Sequence, residues 1–236
     1  MINTKFLCYY GFALHQEEPI VYYDYETGSL NPSTTQPLEL AAVMIDPRKL
    51  EVIKGSEFHS FIRPFEPAEA AKMGLAPIEQ QALAKNNIKL DDLMDYPDEK
   101  TVWQDFVDYQ YQYNPKKDTW NAAISAGFNI DNYDRYIVDR LCERYGPWDK
   151  KKGQQKIFNP VQSVDLKNIT WLFNENNPAV ERNSFDSIRE WLGLSTDNAH
   201  RAIIDVRQGA AVLCSFMKMI RFWVGKTDFK SKFKGV

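Results

Sequence analysis

The hydrophobic pattern changes period several times along the chain, and each change marks an element. Ile20-Val21-Tyr22-Tyr23-Asp24-Tyr25 is β-branched or aromatic at all but one position, and residues 28–37 are rich in Ser, Thr, Asn and Pro. A buried strand running into a loop is predicted. Residues 38–45 and 52–62 read as two further strands around the turn Asp46-Pro47-Arg48, which makes an antiparallel meander. Pro64 ends that run, and residues 68–86, rich in Ala, Glu and Gln, predict short helices over the sheet. Within 98–113, Val102, Phe106, Val107 and Tyr109 fall at helical spacing. Residues 120–128 predict a fourth strand. From about Asp131 a helix follows, with Tyr133, Ile137, Val138, Leu141, Cys142 and Tyr145 on one stripe and Gly146-Pro147 as its stop. Residues 149–156 carry four lysines and Gly153 and predict an exposed loop, and 157–164 hold the fifth strand. Short helical patterns cover 165–173 and 184–192, the second stopped by Gly193. The clearest stripe comes last: Ile203, Val206, Ala210, Leu213, Met217, Ile220 and Val224 alternate steps of three and four. This order predicts an α/β fold, a mixed five-stranded sheet flanked by helices on both faces.

Composition narrows the picture only in places. With 44% hydrophobic residues in 236, one large domain over 20–225 is expected, after an extension at 1–19 that is either strand or helix. In the tail, 226–236, Lys226, Lys230, Lys232 and Lys234 interleave with Phe229 and Phe233, as in a disordered end or one that touches nucleic acid. The net charge of −3 means that any nucleic-acid contact rests on local patches. For the lysines of 149–156 the readings are plain solvation or such a patch. Cys8, Cys142 and Cys214 match neither a disulfide framework nor a zinc pattern, so a reducing, cytoplasmic location is expected. Residues 6–14 are apolar but lack a signal cleavage site, and no apolar run is long enough to span a membrane.

The candidate chemistry lies in carboxylates at the ends of elements. Asp24 and Glu26 are two apart on a strand and project from one face, where they repel unless one is protonated or a divalent ion sits between them. Alone, the pair also fits a strand end carrying two solvated acids. Asp134 stands where the fourth strand hands over to its helix, with Asp131 as a rival. Asp205 lies in the first turns of the last helix, with His200 in the loop before it. Each of these also fits an ordinary helix-start acid or a capping histidine. Four carboxylates and a histidine at the ends of central elements make coincidence the poorer account.

The set Asp24-x-Glu26-Thr27-Gly28, Gly127-Phe128-Asn129 through Tyr133-Asp134, and Ala199-His200-x-Ala-x-x-Asp205-Val206 resembles the DEDDh exonucleases, a ribonuclease-H-like family. Softer echoes are Leu38-Glu39-Leu40-Ala41 and Val164-Asp165-Leu166. The resemblance implies a 3′-to-5′ exonuclease releasing 5′-mononucleotides from single-stranded DNA. RNA as substrate, or a role as a proofreading or nucleic-acid-binding module beside a polymerase, are its alternatives. It implies Asp24, Glu26, Asp134 and Asp205 as ligands of two ions, Mg²⁺ or Mn²⁺, which suit oxygen-only donors. Asp134 is preferred to Asp131 because it follows an aromatic, as in the family. His200 is implied as general base. Thr27, Gly28, Leu30 and Asn129 are implied as contacts to the substrate, although Leu30 also fits ordinary loop packing. His15 and His59 have no acid or Cys at ligand spacing, and Trp103, Trp171, Trp191 and Trp223 read as core or flank.

Overall fold

The structure, a computed structural model, describes residues 18–175, 177–197, 199–228 and 232. Cys8, His15, almost all of the expected 1–19 extension and most of the basic tail lie outside the described residues. The described residues open with β1 (Ile20–Thr27), β2 (Pro37–Asp46), β3 (Glu51–Val52), β4 (Phe58–Phe61), α1 (Pro67–Lys72), α2 (Gln80–Lys85) and α3 (Glu99–Tyr113). Then come β5 (Ile124–Gly127), α4 (Asp134–Tyr145), the hairpin β6 (Trp148–Asp149) and β7 (Gln154–Gln155), and β8 (Ser163–Asp165). Helices α5 (Leu166–Asn174), α6 (Phe185–Leu192) and α7 (Ala202–Val224) complete it. No helix among the described residues is long and apolar enough to cross a membrane.

The mixed sheet runs β3-β2-β1-β5-β8, with β4 also on β2. β1 pairs antiparallel with β2 and parallel with β5, and β5 pairs parallel with β8. The third strand expected over 52–62 is two pieces, β3 and β4, that share one lane along β2. Gly55, at φ +79°, breaks that lane, and Ser56 turns inward to exchange hydrogen bonds with the backbone of Met44. Among the described residues, five lanes result from six strands.

Other differences are local. The fourth strand is shorter than expected because Asp118 caps a turn at 119–121 that leaves Trp120 exposed. The lysine-rich 149–156 segment is a hairpin, not an open loop: Trp148 and Asp149 pair with Gln155 and Gln154. Ile157 and Phe158 are buried but sit before the strand, which starts only at Ser163.

Strand alternation divides the core. Val21, Tyr23 and Tyr25 pack with Trp103 and Phe106 of α3 and Ile137 and Leu141 of α4. On the opposite face Ile20 and Tyr22 pack with Ile188 of α6 and Val206, Ala210 and Leu213 of α7. Helices therefore cover both faces, and β1 is buried on each side. The same alternation assigns Asp24 and Glu26 to the α7 face. Gly209 sets how closely α7 approaches: a Cβ there would lie 2.1 Å from the Tyr22 hydroxyl. Asp205 stands one helical turn before it, so this contact also fixes how near Asp205 comes to β1.

Candidate active site

Asp24, Glu26 and Asp205 each offer an oxygen, and these atoms lie within 4.8 Å of one another. The strand places two of them on one face, and the first turn of α7 brings the third down onto that face. Glu26 is buried. Burial and the neighbouring charges of Glu26, Asp134, Asp205 and Glu39 hold the Asp24 carboxyl well above the usual range. Burial, with Asp205 and Glu39, pushes Glu26 up to about 8, against the pull of Lys85 at the end of α2. Burial also raises Asp205, opposed by Arg189 and His200. Such a group favours protons or cations, because separate bare carboxylates at this spacing repel.

Asp134 lies outside that close triad. It is 3% exposed, its Oδ1 accepts the Tyr25 backbone N–H at 3.2 Å, and burial pushes it up to about 7. That hydrogen bond places it against β1 between the Asp24 and Glu26 positions, near enough for its charge to raise Asp24. Asp131 points elsewhere. Its Oδ2 accepts from Ser163 Oγ at 3.1 Å, and its Oδ1 lies 3.9 Å from Arg135. His200 is half-buried in a left-handed backbone conformation, φ +65°, before α7, and its Nε2 lies 3.6 Å from Asp186 Oδ2.

The loop after β1 is braced from several sides. Gly28 N–H donates to Gln36 O, and Glu79 N–H donates to Gly28 O. The Tyr133 hydroxyl donates to Ser29 O at 2.7 Å and lies 2.6 Å from Thr27 Oγ1. Arg140 donates to the carbonyls of Pro32 and Thr35 at 3.1 and 2.6 Å. Leu30 is 82% exposed at this loop, so ordinary loop packing does not account for it. Asn129 adopts a left-handed conformation after β5, its N–H donates to Asp165 Oδ1, and its Oδ1 accepts from Lys167 Nζ.

Several charged residues at the site escape sequence reasoning. His59 does have an acid: its Nε2 lies 2.8 Å from Glu39 Oε1, and Arg201 Nε donates to Glu39 Oε2 at 3.2 Å. Since Ala41 pairs with His59, Glu39 is its diagonal cross-strand neighbour, a relation visible only once the register is known. Arg189 is buried completely and binds Asp205, although it lies 16 residues away in another helix. Nothing in the local pattern around 189 signals it.

The ribonuclease T family model, described as exonuclease, matches residues 21–213. The chain belongs to this exonuclease family. No curated protein matches the chain. Among solved structures, the chain resembles E. coli exonuclease I in complex with a dT13 oligonucleotide, at 16% identity and a TM-score of 0.63. It also resembles the zinc-bound form of an E. coli exonuclease I complex with single-stranded DNA, at 15% identity and a TM-score of 0.59. In each case 84% of this chain and 40% of exonuclease I are covered. Cell-death related nuclease 4 follows at 13% identity and a TM-score of 0.61, with 86% of this chain and 65% of that protein covered. These likenesses place the fold as ribonuclease-H-like, as the motifs imply. The chain spans about 40% of the length of exonuclease I.

Proposed function

We propose that this chain is a metal-dependent 3′-to-5′ exonuclease that removes 5′-mononucleotides from single-stranded DNA. The observation that carries the reading is the convergence of Asp24, Glu26 and Asp205 within 4.8 Å at the end of β1, in a chain of the exonuclease family. Their donors are all carboxylate oxygens and burial raises all three acids, which fits Mg²⁺ or Mn²⁺. Asp24, Glu26 and Asp205 would hold one ion, and Asp134, reaching the same stretch of β1, would share a second with Asp24. Such ions, when bound, supply Lewis-acid stabilisation of charge on the phosphate and leaving oxygen.

The protein's own groups supply the rest. His200 takes the proton from the attacking water, a task suited to an imidazole whose ordinary pKa is near 6.5. Thr27 and Gly28 meet the terminal nucleotide through the braced loop, and exposed Leu30 stands against its base. Asn129, held by Lys167 and Asp165, offers a fixed amide to the substrate backbone. Support for DNA comes from the oligonucleotide complexes of exonuclease I.

A 5′-labelled single strand with a free 3′-hydroxyl should shorten stepwise, with mononucleotides as the main product. A 3′-phosphate should block the reaction, since it brings negative charge to a site already crowded with carboxylates. Blunt duplexes should be slower, because unpairing a terminus costs about a few kcal/mol. Cleavage of a circular single strand would overturn the exonuclease polarity, and faster degradation of a matched RNA would overturn the DNA assignment.

The raised acids also predict a pH dependence of stability. Between the ordinary carboxylate range, about 4, and the folded values of about 7 for Asp134 and about 8 for Glu26, the folded state binds more protons than the unfolded one. The contribution is therefore most favourable below that window and is lost as pH rises through it. Metal-free protein should melt progressively lower from about pH 5 to about pH 8 through these groups. Ions bind the ionised acids, so their stabilising effect should be small at the acid end and large at the other. At about one hundred times Kd the gain is about 2.7 kcal/mol, or roughly 5–10 °C in Tm for a chain of this size. Calorimetry in EDTA and in Mn²⁺ at both pH values checks this, and a shift independent of pH would contradict it.

A further inference from the structure

Arg189 of α6 is 0% exposed. Removing a guanidinium from water costs several kcal/mol unless its donors are well matched, and an apolar side chain of similar volume is often as stabilising. Here the donors have partners on different elements. Nε donates to Gln208 Oε1 at 2.7 Å, Nη1 to Asp186 Oδ1 at 2.8 Å, and Nη2 to Asp205 Oδ1, while its face lies 4.1 Å from the centre of the Phe185 ring. The second oxygen of Asp186 is the one that stands 3.6 Å from His200 Nε2. One guanidinium thus joins an acid of the proposed metal site to the carboxylate beside the proposed base.

We infer that Arg189 is a positioning residue for both halves of the reaction, with Asp186 as its link to His200. The inference deepens the nuclease reading and rests on it. By holding Oδ1 of Asp205, Arg189 fixes that carboxylate's rotamer, leaves Oδ2 for an ion and offsets part of the charge crowded against Asp24 and Glu26. By holding Oδ1 of Asp186, it directs Oδ2 toward the imidazole. At 3.6 Å the contact is electrostatic rather than a hydrogen bond, and it orients the ring with Nε2 toward Asp186. Lysine does not replace this arrangement, because its ammonium is a point charge on a flexible stem rather than a planar fork.

The test uses the full chain and two variants, with Mn²⁺ binding by calorimetry, melting temperature, and kcat and KM on a 5′-labelled DNA single strand. Arg189→Lys should weaken Mn²⁺ binding about 10–100-fold, the usual effect of losing a partner that orients a ligand. Asp186→Asn alters a half-exposed side chain. It should lower kcat about tenfold or more while leaving KM, Mn²⁺ affinity and melting temperature unchanged. In the double variant the kcat losses should be less than multiplicative, because both act on His200 through one chain of contacts. Unaltered Mn²⁺ affinity in folded Arg189→Lys overturns the assignment. If that variant does not fold, Asp186→Asn decides: unchanged kcat, or a fall in melting temperature that accounts for the lost activity, overturns it. Wild-type protein that neither binds Mn²⁺ nor degrades DNA would instead remove the nuclease reading itself.

Discussion

Asp24→Asn is expected to yield a folded protein that melts higher than wild type in EDTA and has lost its nuclease activity. Asn is nearly isosteric with Asp, and residue 24 keeps its backbone pairing to Ala41 of β2. What changes is charge. Asp24 stands among Glu26, Asp134, Asp205 and Glu39, all of which disfavour its ionisation, so an uncharged amide relieves repulsion that the metal-free fold otherwise bears. Function moves the other way. The proposed ions lose the ligand they share, and losing about 4 kcal/mol of transition-state stabilisation corresponds to about a thousandfold fall in rate. The stabilising effect of added Mn²⁺ should shrink with it. Stability gained while activity is lost is the mark of a strained functional site rather than a structural one. Activity within tenfold of wild type would take Asp24 out of the site.

Replacing His200 should lower activity without touching the metal effect. Metal-induced stabilisation should persist while turnover falls about 10²–10⁴-fold, the usual share of a general base. His200→Asn is the cleaner replacement, because residue 200 has φ +65° and asparagine tolerates that region better than alanine does. His200→Ala beside it separates backbone strain from lost chemistry. Single-turnover rates with saturating Mn²⁺ measure the effect directly, and an unchanged rate in both variants would show that water is deprotonated without His200. Together the two positions separate ion binding from proton transfer.

Much of this site is written locally. The two-residue spacing of Asp24 and Glu26 puts both carboxylates on one face in any strand. The three-four stripe from Ile203 to Val224 places Asp205 in the first turn of a helix, and Gly146-Pro147 and Gly193 end helices where the pattern stops. These inferences needed only periods and conformational preferences of a few consecutive residues. Element ends were harder. The lane at 52–62 breaks at Gly55 because Ser56 finds a partner on β2, and the lysine-rich segment closes into a hairpin through pairing of Trp148 with Gln155 and of Asp149 with Gln154.

Local sequence alone specifies the buried central strand, the helices that follow it, the family motifs and the shared face of Asp24 and Glu26, because backbone geometry carries those signals within one or two turns of chain. Which acids meet is settled by long-range packing. Asp134 joins the neighbourhood of Asp24 through a hydrogen bond to Tyr25 across 109 residues, whereas Asp131, three residues earlier, turns to Ser163. His59 reaches Glu39 only because β4 pairs with β2 in that register. Arg189 reads as one polar residue in a short amphipathic helix, yet packing of α6 against α7 buries it and delivers its charge to Asp205. How closely α7 lies on β1 depends on Gly209 lying against the Tyr22 hydroxyl. Contacts of this kind depend on register and helix position, which are properties of the assembled sheet and its cover rather than of any local run of residues.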